Sequence, residues 1–172
     1  VALAQHGING CVATLGTATS TDHIERMFRI VKTIVFCFDG DAAGRNATWK
    51  ALLSAIPAME DGYVAKFLFL PDGEDPDTYV RQFGSKAFET KLEKAVGFTE
   101  FFFQHLESTV DISTTEGKAA LSKAAVPLIR GLPVGVFKQL VIKELSNRTG
   151  LDSDQLIRTT GLDSQPERAV PT

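Results

Sequence analysis

The chain has 172 residues, 44% of them apolar and 23% charged, with a formal net charge of −3. That length holds one substantial core or two small subdomains, and the near-neutral charge excludes a strongly basic, autonomous nucleic-acid binder while allowing a partner domain to supply positive surface. No apolar run reaches the length of a membrane span and no signal-peptide pattern is present, so the expected localisation is cytoplasmic.

Along the chain, residues 1–7 read as the last turns of a helix stopped by Gly7. The expectation is that a strand precedes Val1. Residues 11–15 (CVATL) form a short strand candidate, followed by a loop over 16–20. Asp22 opens an amphipathic helix over 23–30, with Glu25 three residues on as in a capping box. A buried strand is predicted over 33–38 (TIVFCF) and a helix over 42–56, with Ala47, Leu52 and Ala55 inward and Pro57 at its end. A second buried strand covers 64–70 (VAKFLFL). Asp75-Pro76 starts a helix that stops at Gly84, and another runs over 85–96. Strands separated by single helices predict a mainly parallel α/β sheet flanked by helices.

From residue 97 no further strand is expected. Helices are predicted over 98–108, over 114–132 with Pro127 kinking or dividing it, over 133–148, and from a cap at Asp152 or Ser153 to 159. In the third of these, Val136, Phe137, Leu140, Val141 and Leu145 lie at helical spacing. The domain reading is therefore 1–96 α/β, 97–160 all-helical, and 161–172 a polar linker or tail. Cys11 and Cys37 sit in strand-like runs and read as small buried hydrophobes, not as a disulfide or metal pair. Trp49 and the 101–103 Phe run read as packing residues. Lys118, Lys123, Arg130, Lys138, Lys143 and Arg148 read as a solvated face.

Two acidic stretches carry the chemistry. The strand at 33–38 leads into Asp39-Gly40-Asp41, and that at 64–70 leads into Asp72-Gly73-Glu74-Asp75-Pro76-Asp77. Ligands bind beyond the C-terminal ends of strands in open α/β sheets. Carboxylates gathered there repel one another unless a cation sits among them, and a hard oxygen-seeking ion such as Mg²⁺ suits them. Asp41 and Asp75 each have a second reading, as caps of the helices they precede. That reading leaves Asp39 and the second acid of the later pair unexplained.

These residues carry a resemblance. Asp39-Gly40-Asp41-Ala42-Ala43-Gly44 resembles the D-x-D signature of the TOPRIM fold. The stretch from Asp72 through Thr78, with Val80-Arg81 and Gly84 after it, is similar to a run characteristic of bacterial DNA primases of the DnaG type. Ala13-Thr14-Leu15-Gly16-Thr17 resembles the loop after that family's second strand, and the match extends over residues 1 to about 95. The resemblance implies a TOPRIM-like sheet followed by a helical subdomain, within the RNA-polymerase core of a primase. It implies RNA primer synthesis on a single-stranded DNA template from ribonucleoside triphosphates, by two-metal nucleotidyl transfer with Mg²⁺ or Mn²⁺. On this resemblance Asp39 and Asp41 are catalytic metal ligands, with Asp75 and Asp77 completing the acidic cluster directly or through water. Gly16, Thr17 and Arg45 are candidate phosphate contacts.

The family also has a glutamate at the end of its first strand, which this sequence does not contain. The basic half of the core, the zinc module and the helicase-binding domain are likewise expected outside these residues. A piece inactive by itself follows, with an exposed sheet edge that favours dimers or aggregation. The replicative helicase is expected to bind through a domain absent here. Three other readings compete. A haloacid-dehalogenase-type phosphatase shares the D-x-D after a strand, but Ala42-Ala43-Gly44 does not fit it. A type IA topoisomerase or TOPRIM nuclease needs more chain and, for the former, a catalytic tyrosine. A non-catalytic replisome docking module would use the helical half.

Overall fold

In a computed structural model, residues 12–14, 20–39, 41–71 and 76–162 are described, with only the backbone considered at 12–14, 39, 76 and 77. The chain divides into two compact units. One comprises Val1–Ala55 and Gly62–Phe102, the other Ile56–Asp61 and Phe103–Thr172.

The first unit is built on a sheet of order β1-β2-β3-β4. β1 (Val12–Thr14), β2 (Thr33–Asp39) and β3 (Val64–Leu70) are parallel neighbours. The short β4 (Val96–Gly97) pairs antiparallel with Lys66 and Phe67 of β3. The parallel strands agree with the sequence reading; β4 corrects the helix expected there, because α4 (Ser85–Glu93) stops early and two residues suffice to cover the β3 edge. β2 and β3 are buried on both faces, as continuous apolar runs in parallel sheets require. On one face Val35, Cys37, Leu68 and Leu70 pack with Tyr79, Val80 and Phe88 of α3 (Pro76–Phe83) and α4. On the other, Phe36 stacks on Phe67 at 5.4 Å and Phe101 meets Phe67 at 5.3 Å. Cys37 is buried and in no disulfide among the described residues.

α1 (Thr21–Ile30) is capped by Ser20, whose hydroxyl accepts from the His23 N–H. Asp22 lies inside the first turn and is not the cap. The Thr21 hydroxyl donates to the Ser54 carbonyl, and this tie starts the helix earlier than the charge pattern suggests. α2 (Ala42–Ala55) gives way at Pro57 to a 3₁₀ turn over Ile56–Ala58. It buries Gly44, Thr48, Ala51, Leu52 and Ala55, whereas Ala47 is half-buried. Gly84 ends α3 with φ +88°, a conformation glycine adopts without strain.

The second unit is helical. α5 (Phe98–Glu107) crosses the division, so the boundary falls within a helix and not at the residue 96/97 junction of the sequence reading. The six residues Ile56–Asp61 also fall in this unit, for a reason only tertiary structure supplies: Asp61 binds the start of α7. α6 (Thr115–Arg130) is capped by Thr114 and runs unbroken through Pro127. Burial of Leu121, Ala125, Val126 and Ile129 outweighs the roughly 3 kcal/mol that an interior proline costs, so of the two outcomes expected at Pro127, a kink or a division, the division does not occur. α7 (Val136–Thr149) ends at Gly150, φ +77°, and Asp152 caps α8 (Ser153–Thr160) through the Gln155 N–H.

α7 corrects two expectations. Val136 and Leu140 are 64% and 59% exposed, while Lys138 is 1% exposed. The buried stripe is Lys138, Val141, Ile142, Leu145 and Thr149, again at helical spacing. The sequence admits either rotation of the helix; packing selects the one that buries Ile142, and Lys138, its ammonium included, is buried with it. Arg148 is not simply solvated either. Its guanidinium pairs with Glu107 and Glu144 and lies 4.6 Å from the Phe103 ring centroid. Burial opposes its charge, but the hydrogen bonds and attraction of both glutamates prevail and raise its pKa. Arg130 donates to the Thr160 carbonyl.

Candidate functional site

β2 and β3 run parallel and in register over seven pairs, ending at Asp39 opposite Leu70. The two strands therefore stop level, and the chain segments that leave them emerge from one edge of the sheet. Asp39 is the last residue of β2, and Asp41 follows two residues later at the start of α2. Asp77 lies in the first turn of α3, seven residues after Leu70. The register thus brings Asp39 and Leu70 to the same end of neighbouring strands, and Asp41 and Asp77 stand at the starts of the helices that follow them in sequence. Asp75, Gly16 and Thr17 lie outside the described residues.

Asp41 is exposed and is the N-cap of α2. Its Oδ1 accepts from the Gly44 N–H at 2.6 Å, and its carbonyl accepts from the Arg45 N–H at 3.0 Å. Both geometries define a cap. Capping engages one carboxylate oxygen and leaves the other for a ligand, so the two readings of Asp41 are compatible. The donors offered here are hard carboxylate oxygens, which suit Mg²⁺ or Mn²⁺ and not a soft-metal site. Among the described residues no three His, Cys, Asp or Glu side chains gather as a metal site.

Arg45 stands one turn into α2. Its guanidinium lies 5.9 Å from the Phe69 ring centroid, and Phe69 precedes Leu70, the partner of Asp39. Phe69 itself escaped sequence reasoning, because an aromatic in an apolar strand carries no signal beyond core packing. Trp49, on the same helix, packs against Phe101 at 6.4 Å and Phe102 at 6.1 Å, and all three residues of the 101–103 Phe run are buried, as expected. Tyr79 is buried in the core, which gives no support to a catalytic tyrosine there. No described helix is long and apolar enough to cross a membrane.

Comparison with known proteins places both units. A family model described as "Toprim-like" matches residues 1–80, and one described as "DnaB-helicase binding domain of primase" matches residues 99–154. The second match lies inside the chain, where the sequence reading expected helicase binding only in a domain outside it. The chain is 48% identical over 174 residues to the DNA primase of Escherichia coli K12, covering 99% of this chain and 30% of that protein. Among solved structures, a DNA primase domain from Pseudomonas aeruginosa superposes with a TM-score of 0.84 at 48% identity, covering 93% of this chain and 50% of that one. The DnaG primase catalytic domain bound to single-stranded DNA gives a TM-score of 0.81 at 48% identity, covering 90% and 49%. The chain thus spans about a third of the curated relative and about half of the solved cores.

Proposed function

Because the chain belongs to the bacterial DnaG-type DNA primases, we propose that it supplies the metal-binding part of a primase active site, which joins ribonucleotides into RNA primers on single-stranded DNA. The observation that carries this reading is the register of Asp39 with Leu70. β2 and β3 end level at one sheet edge, where α/β folds bind ligands, and the sequence runs on from each strand into an acidic stretch.

Asp39 and Asp41, with Asp75 and Asp77, would hold divalent ions, Mg²⁺ or Mn²⁺, two in number. Bound there, such ions activate the attacking hydroxyl and neutralise phosphate charge. The protein's own residues do the positioning. Asp41 ties one carboxylate oxygen to the Gly44 N–H in the first turn of α2, and its other oxygen would serve a metal ion. Arg45 would present a cation for triphosphate oxygens, and Gly16 and Thr17 are further candidate phosphate contacts. The protein's setting is the bacterial cytoplasm, at the replisome.

The test is template-directed ribonucleotide incorporation by a protein that includes the whole core, with Asp41→Asn alongside. Metal-dependent synthesis abolished by the substitution supports the assignment. Equal synthesis by the variant removes Asp41 from the site. A folded protein that makes no primer turns attention to nuclease chemistry.

A second reading concerns the helical unit and is favoured by its match to the helicase-binding family over residues 99–154. In it, α7 presents Val136 and Leu140, one turn apart and exposed, to the replicative helicase. Val136→Glu with Leu140→Glu should then weaken helicase capture without altering primer synthesis by the isolated primase. Undiminished capture would discard the surface.

A further inference from the structure

The geometry points to Phe69 as a positioning residue that holds the Arg45 guanidinium at the C-terminal edge of the sheet for the phosphates of an incoming nucleotide. The inference rests on the primase reading and on Arg45 as a phosphate contact. Phe69 is the penultimate residue of β3, in register with Phe38, and the next pair is Leu70 with Asp39. The ring lies under the guanidinium at 5.9 Å. Among the described residues Arg45 makes no ion pair or side-chain hydrogen bond.

Phe69 is itself fixed from behind. Phe101 meets it at 5.8 Å and a 46° tilt, and Phe101 in turn meets Phe67 at 5.3 Å and Trp49 at 6.4 Å. Trp49 follows Arg45 by four residues on α2, so both lie on one helical face. The helix lays Trp49 on Phe101 and Arg45 on Phe69, forming a continuous aromatic row that ends in a cation. Asp41 precedes Arg45 by one turn, so candidate metal ligand and candidate phosphate contact rise from the same helix start.

The chemistry favours this arrangement for an anion. Stacking engages the flat face of a guanidinium and leaves its in-plane N–H donors for phosphate oxygens. A solvated arginine gives up rotamer freedom when it binds. A ring that orders it beforehand removes part of that loss. Phe69 therefore acts on nucleotide binding through Arg45, not on the chemical step.

Primer synthesis and equilibrium ATP binding are measured on the full-length protein with Phe69→Leu, Phe69→Tyr, Arg45→Ala and the Phe69→Leu/Arg45→Ala double substitution. Leucine keeps an apolar contact for Phe101 and removes the ring; tyrosine keeps the ring. Phe69→Leu should raise nucleotide KM and weaken ATP binding about two- to fivefold, the scale of an exposed cation–π contact, at unchanged kcat. Phe69→Tyr should match the parent, and Phe69→Leu should add nothing in the Arg45→Ala background. An unchanged KM, a loss confined to kcat, or an equal loss with and without Arg45 would each overturn the inference; the last is also what a general disturbance of the fold would produce. Normal ATP binding by Arg45→Ala removes the phosphate role and the inference together, with the primase reading left standing. Absence of primer synthesis by the unsubstituted protein strikes that reading instead, and the ATP-binding comparison still decides on Phe69.

Discussion

Asp61 accepts the backbone N–H of Phe137 at 2.7 Å, and its other oxygen accepts from Val136 at 2.9 Å. A carboxylate 76 residues earlier in the chain thus caps α7, whose adjoining residue, Gly135, offers no capping side chain. Two otherwise unpaired N–H groups of the first turn are satisfied, and the negative charge sits at the positive end of the helix. The space beside Gly135 is part of the arrangement, since a Cβ there would come within 2.9 Å of Asp61 Oδ1.

The backbone hydrogen bonds from Phe137 and Val136 hold the Asp61 carboxyl below the ordinary aspartate range. A depressed pKa means the folded state prefers the ionised form. The stabilisation is present above the unfolded-state pKa and is lost as pH falls through the folded-state value. Asp61→Ala should lower the Tm at pH 7, and the gap between parent and variant should close under strongly acidic conditions. A Tm difference that stays constant down to the acid limit would refute the cap's ionic character.

One pair of substitutions separates the cap that Asp41 forms on α2 from its proposed metal role. Asparagine caps helices about as well as aspartate, whereas alanine costs about 1 kcal/mol. Asp41→Asn should leave thermal stability within a few tenths of a kcal/mol while lowering metal-dependent primer synthesis at least about tenfold, a loss known even for outer-sphere metal partners. Asp41→Ala should lose both. Parallel losses in both variants would reduce Asp41 to a cap.

Gly117 in the first turn of α6 has no room for a side chain. A Cβ would meet the Asp111 carbonyl oxygen at 1.6 Å and its carbon at 2.4 Å, both backbone atoms. Gly117→Ala should destabilise the protein by about 2 kcal/mol or more, despite alanine's better helix propensity. Chemical denaturation measures this directly; a neutral or stabilising alanine would contradict the close approach.

Arg148 stacks on Phe103 while pairing with Glu107 and Glu144. Lysine keeps the charge but loses the flat guanidinium and its fork of donors. Since the groups are partly exposed, Arg148→Lys should cost only about 0.5–1 kcal/mol. A cost insensitive to added salt would assign the effect to the stack; one abolished by salt would assign it to the ion pairs.

Most local features were legible in the residues themselves. Asp152, one of the two residues expected to cap it, caps α8, and Gly84 ends α3 and Pro76 begins it as read. Such signals act within one helical turn, so sequence neighbours contain all the information they need. The two acidic stretches were equally visible, because carboxylates after apolar strands stand out against their surroundings. Where local signals competed, the reading failed. Ser20 and Asp22 are both capping residues two positions apart, and the Thr21 bond to Ser54, 33 residues away, favours the earlier start.

The sequence by itself determined the parallel α/β unit, the helical run after it, the local caps and the acidic stretches, since period, turn chemistry and motif are short-range properties. Tertiary structure alone decided that Asp39 stands level with Leu70, that Arg45 rests on Phe69, that Asp61 caps α7 and that Lys138 is buried while Leu140 is exposed. Each of these depends on how surfaces far apart in the chain fit together, and packing, unlike helical period, distinguishes one face of a helix from another.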